Sequence, residues 1–211
     1  MFRRISAIDL PLPPGWVAWR PRGGNDEADR IARTVGTTPA ARVRSRQEVL
    51  DTERSLVTGV AYRHAAAWVP AGRRPEAVAT VVVELLAGSQ TDSEPSRLHL
   101  RRVRRQIRFN RQNTSSVLYR DAVRTEIGGI AAVLTRRTVP AGMSVTLPGP
   151  REHIPLGRRM REELLCTLFP AGAMDGIELR FGSADPDRLS SATAQAASLA
   201  ASMTIQLAPA V

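Results

Sequence analysis

The sequence predicts an α+β fold, an antiparallel β-sheet with helices packed on it. Three observations lead there. Short runs rich in β-branched and apolar residues recur around Pro/Gly turns, as in hairpins. Helix-start signals such as Thr38-Pro39 and Asp185-Pro186 fall between those runs. No regular strand–helix rhythm marks a parallel βαβ sheet. The 211 residues are read as one domain, 1–211. A chain of that length buries roughly 70% of its extended surface, enough for a core without a disulfide or metal staple.

The first element, 5–12, reads as an extended edge segment, because Pro11 cannot donate to a ladder. Pro13-Pro14-Gly15 turns the chain into a short strand, Trp16 to Trp19. Asn25 or Asp26 is placed to cap a helix ending near Val35, with Gly36 as its stop. Thr38 caps the next helix, with Pro39 at its first position. That helix is expected to reach about Val57 and to bury the stripe Val43, Leu50, Val57. Two strands, 60–69 and 77–86, then form a hairpin around a Pro/Gly loop; the run Val78 to Val83 favours strand over a competing helix at 76–87.

Ser93-Glu94-Pro95-Ser96 starts the arginine-rich segment, 97–111. Leu100, Val103 and Ile107 share one helical face there, which predicts a helix of two to three turns. Val117, Tyr119, Val123 and Ile127 alternate along a strand, and Gly128-Gly129 turns it into a partner, 130–139. Residues 140–155 read as irregular, with a short strand at 143–147. Leu164 to Phe169 and Ile177 to Phe181 form another hairpin. On the second of these strands Glu178 and Arg180 point away from Ile177, Leu179 and Phe181. Asp185-Pro186-Asp187 starts the last helix. Its residues Leu189, Ala192, Ala196, Leu199 and Met203 repeat at 3-4 spacing; the small opposite face reads as covered too, or else as a contact for a partner.

Charge is concentrated rather than spread. The formal net charge is +10, and every one of the 30 basic residues is arginine. Residues 97–137 hold eleven arginines against Asp121 and Glu126, a net of +9, which leaves +1 for the other 170 residues. Arg97, Arg101, Arg104, Arg105, Arg108 and Arg111 are therefore the candidate partner- or anion-binding residues. Three readings fit them: a solvated face whose arginine stems cover apolar surface, a docking face for an acidic protein, and a phosphate-binding footprint for nucleic acid over 97–124. Aromatic side chains for stacking on bases are sparse, with Phe109 and Tyr119 the nearest.

Catalytic, metal and cofactor motifs are not found. His64, His99 and His153 lie in no ligand spacing, and neither a nucleophile elbow nor a phosphate loop is present. His64 reads as structural; His99, beside the arginines, is a minor candidate for sensing pH or an anion. The lone Cys166 sits in an apolar run and reads as a small buried hydrophobe. Asp26, Glu27 and Asp29 sit at a helix start. Glu162-Glu163, flanked by arginines, read as surface charge balancing, and no carboxylate pair stands isolated in apolar surroundings as acid–base chemistry would need. No cofactor is expected, and an enzyme would require a site assembled only in three dimensions. Arg3-Arg4 is followed by Asp9, Pro11, Pro13 and Pro14, which spoils an export signal. No apolar run is long enough to span a bilayer, so the cytoplasm is the expected location.

Leu12-Pro13-Pro14-Gly15-Trp16, with the closing order of strand (Ile177 to Phe181), helix (Asp185 to Met203) and short final segment, resembles the PsbP-like superfamily, including the LpqN-type proteins of high-GC bacteria. The resemblance covers the two ends of the chain by motif and the middle by element order. It implies an α/β/α sandwich around an antiparallel sheet, and a non-enzymatic binding or assembly role. No lipobox cysteine stands near the start, and the helices at 26–57 and the arginine segment are additions to the pattern. The expected function is a protein-binding adaptor or accessory module of a bacterial assembly. Nucleic-acid binding is the alternative and an enzyme the third. The oligomeric state is left open.

Overall fold

Side chains alternate across a strand, and here that alternation separates two cores on opposite faces of one sheet. The computed structural model describes residues 2–56, 62–69, 77, 79–86, 94–112, 118–141, 159–189 and 192–209. In chain order the elements are β1 (Ile5–Asp9), β2 (Trp16–Trp19), α1 (Gly24–Val35), α2 (Pro39–Arg54), β3 (Tyr62–Trp68), β4 (Ala79–Leu86) and α3 (Pro95–Gln112). There follow β5 (Leu118–Ile127), β6 (Ile130–Pro140), β7 (Met160–Phe169), β8 (Gly176–Ser183), a 3-10 turn at Pro186–Leu189, α4 (Ala192–Ser202) and β9 (Thr204–Leu207). Seven strands form an antiparallel sheet in the order β2-β3-β4-β8-β7-β6-β5, and β1 pairs with β9 in a separate ribbon.

The front face presents Val81, Val83, Leu164, Cys166, Leu168, Ile177, Leu179 and Phe181 to Ile5, Ile8 and Leu10 of the N-terminal segment and to Ala196 and Leu199 of α4. The back face carries α1 and α2 over β2, β3 and β4, where Trp19, Ile31, Val35, Val49, Leu50 and Val82 cluster. Helix α3 covers the other half of the back face and packs on β5, β6 and β7. The result is the predicted α+β sheet with helices on both faces. Among the described residues no helix is long and apolar enough to cross a membrane.

Local chemistry explains most of the boundaries. Gly128 and Gly129 have φ of 56° and 77°, the left-handed values a two-residue hairpin turn demands, and join β5 to β6. The Thr38 side chain accepts from Ala41 N at 3.1 Å and Pro39 opens α2, as expected. Helix α1 departs from expectation: its N-cap is Gly23, with no side-chain cap of its own. Instead Glu53 of α2 accepts from Gly24 N, from Arg22 N and from Trp19 Nε1, at 3.1, 3.1 and 2.7 Å.

Other expectations are corrected. Of the expected stripe Val43, Leu50, Val57, Leu50 is buried as read, but Val43 is 68% exposed. The buried face is Ala41, Ser45, Glu48, Val49, Leu50, Asp51 and Thr52, partly polar because Thr52 meets Thr80 and the Glu48 carbonyl accepts from Arg161 of the sheet. Helix α3 has 18 residues, five turns rather than two or three. Asp185-Pro186-Asp187 opens a 3-10 turn, Asp185 Oδ1 accepting from Asp187 N at 3.2 Å, and α4 begins only at Ala192. Ala194, Ser198 and Ala201 are exposed, so α4 is covered on one side. The strand expected at 143–147, Val57, Val117, His153 and the loop 70–75 lie outside the described residues.

Candidate functional site

Helix α3 is built by its apolar side. Val103 and Ile107 are buried, and Leu100 is half-buried beside them. His99 lies on one flank, its ring 5.5 Å from that of Phe169 on β7 and its Nε2 3.4 Å from the Thr167 hydroxyl. Burial, reinforced by Arg102, pushes His99 down to about 4, so it is neutral at physiological pH and does not serve as a sensor there.

At 100° per residue, Arg97, Arg101, Arg104 and Arg108 fall on the flank opposite His99. That flank faces the outer edge of the sheet, where β5 is the last strand. All four are exposed, as are Arg102 and Arg105. Arg97 is ion-paired with Glu94 at 2.6 Å. Arg124 is exposed on the same face of β5. Arg111 belongs to α3, but its side chain lies outside the described residues.

The outermost line of the helix is Leu98, Arg102, Arg105 and Phe109, spaced i, i+4, i+7, i+11 and about 16 Å long. Leu98 and Phe109 are 45% and 55% exposed, so arginines stand between two exposed apolar side chains. Arg102 was missing from the sequence-derived set, although the same periodicity that selects Arg105 selects it.

A second site was not expected. On the back face, charged side chains line β4, β8, β7 and β6. Glu84 of β4 stands directly opposite Glu178 of β8. Tyr62 donates to Glu84, and the Thr167 hydroxyl lies 3.4 Å from Glu178 Oε2. Arg180, two residues beyond Glu178 on the same face, is buried, with its guanidinium 5.8 Å from the Tyr62 ring centroid. Burial and the like charge of Glu178 push Glu84 up to about 7, and burial raises Glu178 as well. The expectation excluded only a carboxylate pair isolated in apolar surroundings; pairing of β4 with β8 creates a half-buried pair from residues 94 positions apart, with Arg180 and Tyr62 beside it.

Glu163 is also not a surface charge. It is 3% exposed and takes both Nε and Nη2 of Arg137, at 2.8 and 2.7 Å. Burial opposes its ionisation, yet Arg137, Arg180 and Arg161 together hold its pKa below the ordinary value. Glu162 is bound by Arg120 at 3.0 Å and by the Thr138 hydroxyl at 2.6 Å. The Arg161 guanidinium lies over Gly182, where a Cβ would collide with it, and donates to Thr80 Oγ1 and to the Glu48 carbonyl. His64 is structural, its Nε2–H donating to the Ile8 carbonyl at 3.1 Å. Cys166 is fully buried and its thiol is pushed up to about 12. Among the described residues no group of three or more His, Cys, Asp or Glu is arranged to hold a metal ion.

No family model and no curated protein matches the chain. Solved structures do. The chain is similar to LpqN of Mycobacterium tuberculosis, described as involved in cell envelope biogenesis, at 14% identity and a TM-score of 0.44, over 95% of this chain and 83% of that one. It is similar to the cyanobacterial PsbP of Synechocystis at 13% identity and a TM-score of 0.45, over 94% and 86%. A Pseudomonas aeruginosa protein of unknown function, PA94, matches at 15% identity and a TM-score of 0.41, over 74% and 87%. The likeness to PsbP-like proteins is weak and is one of fold.

Proposed function

We propose that the protein is a non-catalytic docking module, whose cationic edge, made by α3 and β5, binds an acidic surface on a partner protein. The observation that carries this reading is the outer line of α3, where Arg102 and Arg105 stand between exposed Leu98 and Phe109. Arginine and aromatic side chains are enriched in protein interfaces. A purely solvated face needs no exposed phenylalanine, and phosphate binding alone needs no apolar flank. No ion pair ties down Arg101, Arg102, Arg104, Arg105 or Arg108 among the described residues, so their charge is available to steer an encounter.

The test is site-specific photo-crosslinking in host cells from position 105. The expected result is a discrete crosslinked protein with an acidic contact surface, lost on charge reversal of Arg101, Arg104 and Arg108. Binding of a nucleic-acid duplex instead, with affinity falling steeply as salt rises, would establish the alternative. Crosslinks unaffected by charge reversal would rule out both.

A further inference from the structure

The Glu84–Glu178 pair belongs to neither the cationic edge nor the hydrophobic cores. Directly opposed residues of an antiparallel pair have Cβ atoms about 5 Å apart, so the two carboxylates converge on one spot. Both residues keep part of their surface open to solvent, as does Tyr62 beside them. Arg180 closes the other side. It is 6% exposed, yet its Nη2 is fully buried and has no hydrogen-bond partner among the described residues. A buried guanidinium N–H left without an acceptor is uncommon, because the desolvation it suffers is then uncompensated. Arg137, the other cation close to the pair, is already engaged by Glu163.

The spot therefore presents two opposite demands side by side. The facing carboxylates call for a cation or a strong donor, since like charges brought together in a half-buried place are held apart from full ionisation. The free N–H of Arg180 calls for an acceptor, best an anionic oxygen. Residues two apart on one strand are about 7 Å apart, so Glu178 and Arg180 are within the reach of a molecule no longer than an amino acid. A metal ion would satisfy only the first demand.

We infer that this part of the back face binds a small zwitterion of the α-amino acid type, its ammonium group between Glu84 and Glu178 and its carboxylate on Arg180. The order of the groups sets the specificity. A ligand with the ammonium alone leaves Arg180 unpaired, and one with the carboxylate alone meets two acids. This site is distinct from the exposed arginine face of α3, so it stands or falls independently of the docking role.

The experiment uses the full chain with glycine, serine, glutamate and lysine as probes, each as the free amino acid, the methyl ester and the N-acetyl derivative, followed by melting temperature and calorimetric titration. At least one free amino acid is expected to raise the melting temperature and bind saturably, with its ester and its N-acetyl form each weaker by about tenfold or more, a difference of about 1.4 kcal/mol. Glu178→Gln and Arg180→Gln should lose the binding while keeping the native circular dichroism; if either fails to fold, Glu84→Gln is read in its place. No response to any free amino acid would overturn the inference. So would equal binding of the blocked forms, or full affinity in the folded variants.

Discussion

Replacing Arg137 by methionine is the sharpest test of the charged strip on the back face. The Arg137 and Glu163 side chains are 6% and 3% exposed, and two guanidinium nitrogens meet one carboxylate oxygen at 2.8 and 2.7 Å. Removing one partner of a buried pair leaves an uncompensated charge and costs about 3–5 kcal/mol. Arg180 and Arg161 also hold Glu163 ionised and remain in Arg137→Met, which places the loss at the lower end, about 3 kcal/mol. For a chain of this size that is a fall in Tm of about 6–12 °C. The companion variant Arg137→Met/Glu163→Met removes both charges, and buried pairs exchanged for apolar residues are often neutral, so it should recover most of the loss. Urea unfolding of wild type, both single variants and the double variant supplies the cycle. The pH dependence has a definite sign. The folded pKa of Glu163 lies below its unfolded value, so its stabilisation is present above the ordinary glutamate range and disappears as pH falls through the lower folded pKa. A loss under about 1 kcal/mol in Arg137→Met, or a double variant as unstable as the summed singles, would refute the assignment of Glu163 as a buried, paired charge.

Glu84 has the opposite sign. Its folded pKa is about 7, so its favourable contribution is complete below the ordinary glutamate range and is lost as pH rises toward 7; Glu84→Gln should flatten that part of the stability curve and stabilise the protein at about pH 8 by on the order of 1–3 kcal/mol, and an unchanged curve would contradict it. Gly182→Ala puts a methyl group where the Arg161 guanidinium lies and should cost about 1–3 kcal/mol; a neutral effect in thermal unfolding would show that Arg161 can move without loss. Cys166 should resist a disulfide-exchange reagent in the native protein and react on unfolding, because the thiol is buried and pushed up to about 12; rapid stoichiometric labelling without denaturant would exclude that placement.

Much of the fold was legible because turns and alternation are local. Gly128-Gly129, Thr38-Pro39 and the β-branched run before Glu84 each announce their structure within a few residues, and strands β2 to β8 lie close to where they were expected. The arginine flank of α3 was legible for the same reason, since helical periodicity needs only the residues on one helix. What failed was long-range. Val43 looked like core and is exposed, while Ser45, Glu48 and Thr52 are buried beside Val49 and Leu50, because the sheet offers α2 Thr80 and Arg161 as well as apolar partners. The acid pair was hidden because Glu84 and Glu178 come from distant strands, and only the register of β4 on β8 sets them opposite each other. One signal was available: the opposing faces of Ile177-Glu178-Leu179-Arg180-Phe181 put a carboxylate and a guanidinium side by side, and a sheet covered on both sides must bury them.

Glu53 has a consequence for how the corner around α1 comes apart. Its one carboxylate serves the indole of Trp19, the amide of Arg22 and the first turn of α1, all roughly thirty residues away in the chain. Helix α1 therefore borrows the end of α2 as its cap, and its start is not sealed until α2, which carries its own Thr38 cap, has arrived. Local fraying, which normally loosens a helix from its terminus inward, is denied here its usual starting point. The amides of Arg22 and Gly24 should exchange with solvent only when α2 lifts from the sheet, and so the two helices open as one unit.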